Sequence, residues 1–175
     1  MEVPDTWGGF LISFPRVPPG PWTVAAEGWH WDGDVWGSRD ALNGLFIFTF
    51  LSDVRPAGGG TLGLAGSHRL ISRFLHALAP EDRPKHAALI KRFGQSHPYL
   101  AELTGGSPEG TNRAAKFMGG TADLDGLPAR VVEMTGGPGD AILCHPNIFH
   151  AVSLNCADVP RFMRVKAVGR LRPGS

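Results

Sequence analysis

The sequence predicts a mainly β protein, a jelly roll or barrel that carries one or two helices in an insertion. The 175 residues include 24 glycines and 15 prolines, a share that favours many tight turns between short strands over long helices. Eight short segments are also rich in β-branched, aromatic or alternating residues and are bounded by Gly, Pro or Asp, which is typical of strands. Eight strands suit a jelly roll or a barrel.

In chain order, the predicted strands are residues 9–14, 22–32, 45–52, 61–65, 130–134, 140–144, 149–154 and 162–171. Between the fourth and fifth strands, apolar residues recur at helical spacing and predict an amphipathic helix over residues 69–78. A second helix is predicted over residues 85–92. Residues 95–127 are rich in Gly, Ser and Thr without sustained periodicity, so we expect the whole insertion, 70–130, to act as a lid over one end of the barrel.

The length fits one domain, residues 1–175, and is too short for two domains of ordinary size. A net charge of +1 gives no electrostatic reason to expect nucleic acid or an anionic membrane as partner, so we expect a small-molecule partner. No apolar run approaches the ~20 residues of a membrane span. The acidic Glu2 and Asp5 stand where a secretory signal would carry positive charge, which favours a cytoplasmic protein.

A metal site is indicated at His30 and Asp32, which stand two residues apart at the end of a predicted strand. Residues two apart on a strand share one face, so the imidazole and the carboxylate should converge while Trp31 points away. With a second, distant imidazole they would form the facial triad of non-heme iron sites, which leaves iron positions open for a cosubstrate and dioxygen.

The second imidazole has two candidates, His145 and His150. His145 precedes Pro146, which holds it extended near a turn, whereas His150 opens a run that can pair as a strand. His150 is therefore preferred. Arg161, eleven residues later, offers the planar fork best suited to grip a carboxylate, such as the C5 carboxylate of 2-oxoglutarate.

Three stretches resemble the phytanoyl-CoA dioxygenase family of Fe(II)/2-oxoglutarate-dependent oxygenases. The first is Gly-Trp-His-Trp-Asp-Gly around His30. The second is Leu-Ser-Asp followed by the Gly-rich residues 58–69, which end in Gly-Ser-His-Arg. The third is Gly139-Asp140, followed by His150, Asn155 and Arg161.

This resemblance implies a double-stranded β-helix in which His30, Asp32 and His150 hold Fe(II) and Arg161 anchors 2-oxoglutarate. The family couples oxidation of 2-oxoglutarate by dioxygen, to succinate and CO2, with hydroxylation of a C–H bond in a small organic substrate. Members often place a serine two residues after the distal His; here that position is Val152 and Ser153 is adjacent, so Ser153 becomes the expected cosubstrate contact. Members also carry a longer portion before the His-x-Asp strand.

Several alternatives stay open at this point. Phe48 is a candidate for lining the cosubstrate pocket, with core filling as the other reading. His68 is expected to be structural, and Gly58-Gly59-Gly60 to be a hairpin turn, because no Lys-Ser/Thr follows as a nucleotide-binding loop requires. A cupin-like jelly roll that binds a metal or a sugar without oxygenase activity is the alternative function. Zn2+ would also accept two His, one Asp and a water.

Overall fold

The computed structural model of the protein contains two four-stranded antiparallel sheets. It describes residue 6 and residues 8–32, 44–79 and 85–169. Sheet I has the order β1-β8-β2-β6 and sheet II the order β4-β5-β3-β7. The strands are β1 (Gly9–Ser13), β2 (Gly44–Phe50), β3 (Leu62–Ala65), β4 (Ala122–Leu124), β5 (Leu127–Glu133), β6 (Ala141–Cys144), β7 (Phe149–Ala151) and β8 (Arg161–Gly169). The predicted double-stranded β-helix is confirmed; residues 170 and 171 of the last predicted strand lie outside the described residues.

Strand β2 illustrates why these segments pair as they do. Its even-numbered residues are buried while the odd-numbered ones are less so, the alternation that a sheet with one covered face requires. Phe46 lies opposite Cys144 of β6, and Phe48 opposite Val165 of β8. The three phenylalanines of β2 therefore line the inner face of sheet I.

Four helices lie between β3 and β4: α1 (Ser67–His76), α2 (His86–Gly94), α3 (Pro98–Gly105) and α4 (Arg113–Met118). The two predicted helices correspond to α1 and α2, whereas α3 and α4 fall in the stretch where no regular structure was expected. Both are too short to show a periodic pattern and are held by caps: His97 accepts from Tyr99 N, and Asn112 from Ala115 N. None of the described helices is long and apolar enough to cross a membrane.

The described residues form two separate hydrophobic cores. One lies between the sheets and contains Phe46, Phe48, Phe50, Val54, Met134, Cys144 and Met163. The larger one lies between the other face of sheet II and the helices, where Leu62, Leu64 and Phe149 meet Ile71, Phe93 and Leu103. The insertion is thus a helical layer on the back of sheet II. Its predicted action as a lid stays a prediction, and residues 80–84 lie outside the described part.

Residues 22–28 were predicted as the start of a strand, and that expectation was wrong. Their carbonyl groups serve side chains instead of a strand ladder. Arg113 Nε and Nη2 donate to the carbonyls of Val24 and Ala25 at 2.9 and 3.0 Å, and Gly28 has φ +76°, a left-handed conformation that interrupts a strand. Within 22–32, ladder pairing is limited to His30, which forms an isolated bridge with His150.

Arg113 is buried and also donates to the carbonyls of Glu102 and Leu103 and to Ser107 Oγ. It therefore joins α3, α4 and the segment before His30. We expect Arg113→Ala to lower the free energy of unfolding by about 2–4 kcal/mol, because several buried carbonyls lose their donor. Urea unfolding measures this loss. Arg92→Ala, at an exposed position, is the matched control, and equal effects of the two substitutions would contradict the assignment.

Candidate metal centre

The centre is built on a single antiparallel bridge between His30 and His150. His30 N donates to His150 O at 2.9 Å, and His150 N donates to His30 O at 2.8 Å. Residues that exchange both hydrogen bonds lie directly opposite each other and carry their side chains on the same face. Accordingly, the two imidazole rings lie 4.2 Å apart between centroids.

Asp32 completes the group from the same segment as His30. Its Oδ1 lies 3.9 Å from His30 Nε2, and its Oδ2 lies 3.6 Å from His150 Nε2. One ligand atom from each of the three residues falls within 4.8 Å of the others, a spacing that suits a single ion. Trp31, between the two ligands, is fully buried in the core behind sheet II, so side-chain alternation separates it from the site as expected.

Hydrogen bonds at Nδ1 orient both imidazoles. His30 Nδ1 lies 2.8 Å from Gly28 O, and His150 Nδ1 lies 2.9 Å from Ile148 O. A carbonyl oxygen only accepts, so each Nδ1 carries a proton, and each Nε2 is the ring nitrogen that lies near Asp32. Such a backbone partner at the remote nitrogen is the usual support for a metal-binding histidine.

One side of the site is buried and the other is exposed to solvent. His150 is buried, whereas the side chains of His30 and Asp32 are about two-fifths exposed, at 40% and 43%. Burial is the main cause that lowers the pKa of His150, and His30 adds to it; the hydrogen bond to Ile148 and the charge of Asp32 act in the opposite direction. A lowered pKa keeps the imidazole neutral, which is the form that binds metal.

The donor set fits a divalent first-row transition metal. Two neutral imidazoles and one carboxylate on one side of an ion make the facial arrangement in which the remaining positions stay open. The exposed flank beside His30 and Asp32 provides access to those positions. Phe48 lies against the buried flank, with its ring centroid 6.3 Å from that of His150 in an edge-on contact, and it is also part of the core between the sheets.

The other two histidines that the sequence singled out lie together elsewhere. The His145 ring stacks on His68 at 5.0 Å between centroids and 28° between planes. His145 Nδ1 accepts from Asn147 N at 3.0 Å, so this ring stabilises the turn before β7. Neither histidine belongs to the group of three potential ligands.

Arg161 begins β8 and is 4% exposed. It lies opposite Ser13 of β1 and two residues before Met163, on the face of sheet I that lines the inner core. Its Nη1 donates to Leu11 O at 3.3 Å, while its buried Nε has no hydrogen-bond partner among the described residues. Burial lowers the pKa of Arg161, and the charge of Glu133 raises it. The guanidinium is thus buried, with its Nε–H unused among the described residues.

Ser153 is also buried, and its hydroxyl is already engaged. Trp22 Nε1 donates to Ser153 Oγ at 2.8 Å, and Ser153 Oγ lies 3.5 Å from Glu133 Oε1. Glu133 was missed from the sequence. The signal was present, since Glu133 follows Ala129 and Val131 at two-residue spacing on the buried face of β5, where an acidic residue is unusual.

Comparison with known proteins gives likeness in structure alone, since no family model and no curated protein matches the chain. The non-heme monooxygenase ThoJ in its nickel complex has a TM-score of 0.46 at 14% identity, over 93% of this chain and 42% of that one. EvdO2 from Micromonospora carbonacea var. aurantiaca, complexed with 2-oxoglutarate, has a TM-score of 0.42 at 19% identity, over 94% of this chain and 53% of that one.

A third similar structure is SnoK, a non-heme alpha ketoglutarate dependent carbocyclase from nogalamycin biosynthesis. Its TM-score is 0.44 at 19% identity, over 92% of this chain and 49% of that one. The chain therefore spans about half the length of the structures it matches. Because these similarities are low, the function of this chain has to be argued from its own residues.

Metal binding discriminates between the two candidate distal ligands. We expect His150→Ala to weaken Co2+ binding by at least about 100-fold, because a lost ligand costs more than the 10- to 100-fold typical of a lost outer-shell partner. His145→Ala is the matched control and should bind Co2+ as the parent does. Titration followed by visible absorption gives both affinities. The reverse pattern would make His145 the ligand.

Proposed function

We propose that the protein is an Fe(II)/2-oxoglutarate-dependent dioxygenase that hydroxylates a small organic substrate at a C–H bond. The observation that carries the proposal is that two different features occur in one barrel. Two imidazoles and a carboxylate converge at one point, and a buried arginine, whose Nε has no partner among the described residues, lies on the inner face of sheet I. A metal site alone has no need of the second feature.

His30, Asp32 and His150 would hold Fe(II) from one side. When bound, the metal and its cosubstrate supply the oxidising chemistry, in which dioxygen and 2-oxoglutarate are consumed. The task of the chain is to bind, orient and exclude water. Arg161 would grip the C5 carboxylate of 2-oxoglutarate through two parallel hydrogen bonds, and Phe48 would form an apolar wall beside His150. Ser153 would help to hold the cosubstrate by turning its hydroxyl away from its present, long contact with Glu133 Oε1.

Arg161 also favours this function over a jelly roll that binds a metal or a sugar without oxygenase activity. Burying a guanidinium is costly unless its donors find acceptors, and the partners of Arg161 within the described residues leave Nε unsatisfied. A bound carboxylate would supply the missing acceptors. Anaerobic titration with Fe(II) and 2-oxoglutarate tests the proposal, with a weak visible charge-transfer band of the chelate as the expected result. Metal binding without that band would favour the alternative.

The strength of the anchor is measurable. Because a charge-assisted hydrogen bond is worth roughly 1.5–3 kcal/mol and each 1.4 kcal/mol is tenfold, Arg161→Ala should weaken 2-oxoglutarate binding by about 10- to 150-fold. Arg161→Lys should recover part of the loss, since lysine has the charge without the fork. Fe(II) affinity should hardly change. Arg130→Ala, on the exposed face of β5, is the control, and unchanged affinity in the Arg161 variants would refute the anchor.

Asp32 is the anionic ligand in this proposal. Asp32→Ala should abolish hydroxylation and open one metal position, which chloride or bromide can then occupy. Product analysis by mass spectrometry, with and without halide, reports both effects. A variant that oxidised substrate as fast as the parent would remove Asp32 from the ligand set.

The partners in this proposal are 2-oxoglutarate, dioxygen and the small substrate, and the proposed compartment is the cytoplasm. The chemistry of the substrate would depend on the surface beside the open flank of His30 and Asp32. Helix α2 packs against Trp31 through His86 and Phe93, and Trp31 follows His30 directly in the chain. Substitutions in the helix that contacts Trp31 would therefore alter the packing next to His30.

A further inference from the structure

Glu133 is an acidic side chain that the proposed chemistry does not use. It ends β5 and is partly buried. Its Oε2 accepts from Ala57 N at 2.8 Å, and its Oε1 accepts from Gly60 N at 3.1 Å. Burial raises the pKa of Glu133; the hydrogen bonds from Ala57, Gly60 and Ser153 and the charge of Arg161 lower it. Each carboxylate oxygen of Glu133 therefore accepts a hydrogen bond from a different backbone N–H group of the turn.

The turn that Glu133 holds is tightly packed. Ala57 and Gly59 have φ of 64° and 81°, so the chain turns sharply here. A Cβ added to Gly60 would lie 2.3 Å from Met134 O. The backbone at Gly60 thus lies close against Met134, and the hydrogen bonds that Ala57 N and Gly60 N donate to Glu133 join the turn to the end of sheet II.

The same turn touches the surroundings of Arg161. A Cβ added to Gly59 would lie 2.9 Å from Asn155 Cβ and 3.0 Å from Ser13 Oγ. Ser13 is the cross-strand partner of Arg161. Asn155, which is buried, donates to Ser13 O at 3.0 Å and to Val159 O at 2.9 Å. The turn thus packs against Ser13, which pairs with Arg161, and against Asn155 in the loop that leads to β8.

Arg161 depends on this surrounding structure for its orientation. Its own hydrogen bond to Leu11 O is long, at 3.3 Å, and no described residue bonds to its Nε. The charge of Glu133 raises the pKa of Arg161, although the two side chains do not form a direct ion pair. On the other side, Glu133 is linked through Ser153 to Trp22. One carboxylate therefore connects the glycine turn, Ser153 beyond the end of β7 and, through Ser153, Trp22 in the segment before His30.

We infer that Glu133 is a positioning residue for the Arg161 anchor: by holding the Ala57–Gly60 turn and Ser153 in place, it fixes the direction in which the guanidinium meets the distal carboxylate of a dicarboxylate. This inference rests on the proposed function. It predicts that Glu133 contributes to selectivity for a dicarboxylate 2-oxo acid, and that it contributes little to metal binding.

The test compares two 2-oxo acids of equal chain length. 2-Oxoglutarate has the C5 carboxylate, and 2-oxovalerate lacks it. Their affinities are measured by anaerobic calorimetry on the Fe(II)-loaded protein, for the parent, Glu133→Gln and Glu133→Ala. Glutamine keeps the shape of the side chain but accepts through one oxygen, so it cannot serve both Ala57 N and Gly60 N. Glu109→Gln, at an exposed position, is the matched control.

We expect the Gln variant to lose about tenfold of its preference for 2-oxoglutarate over 2-oxovalerate, the size of effect that follows when a charge-assisted hydrogen bond is misaligned. Binding of 2-oxovalerate and of Fe(II) should stay within about twofold of the parent, a small fraction of that tenfold step. The Ala variant should lose at least as much preference. With Arg161→Ala present, either Glu133 substitution should have no further effect on the preference, since coupled residues are not additive.

A Gln variant that keeps the parental preference would overturn the inference. So would one that unfolds, or that binds both acids more weakly by the same factor, because Glu133 would then belong to the scaffold alone. If the parent itself showed no preference for 2-oxoglutarate, or bound neither acid, the proposed function would fail and the inference with it. Binding to the parent thus tests the proposed function, and the change of preference in the variants tests the positioning role of Glu133.

Discussion

The reciprocal hydrogen bonds between His30 and His150 are the constraint on which the rest of the site depends. They join two parts of the chain that are 120 residues apart in sequence, and they place two imidazoles on one face of the barrel. Because both remote nitrogens donate to carbonyls within two residues, the orientation of each ring is set locally. The bridge then needs only Asp32 from the same segment to complete a group of three ligands.

Such a short bridge has to be held by its surroundings. Trp29 and Trp31 flank His30 and are buried in the core behind sheet II, where Trp31 contacts Phe93 and Phe149. Arg113 binds the carbonyls of the preceding residues and ties them to α3 and α4. Residues 22–32 therefore obtain from the helical insertion the support that strands elsewhere obtain from neighbouring strands. The insertion supplies hydrogen-bond donors for their carbonyl groups and buries their apolar side chains.

A second polar system surrounds Arg161 at the junction of the two sheets. Its members come from both sheets and from the segment before His30, and they are joined by hydrogen bonds from Trp22 through Ser153 to Glu133. Polar groups in a low-dielectric setting are expensive unless satisfied. Here the carboxylate of Glu133 accepts two backbone hydrogen bonds, whereas Arg161 Nε has no partner among the described residues. That asymmetry is the physical ground for expecting an anionic ligand beside Arg161.

The sequence by itself determined the strand-rich class, seven of the eight strand positions and the pairing of His30 with Asp32, because alternation and turn residues are local properties. It also favoured His150 over His145 through the effect of Pro146 on the backbone. It could not predict that residues 22–28 leave the sheet, that α3 and α4 form, or that Glu133 lies beneath the glycine turn. Those outcomes depend on groups far apart in the chain, Arg113 with the carbonyls of Val24 and Ala25 and Glu133 with the amides of Ala57 and Gly60, and only tertiary packing brings such groups together.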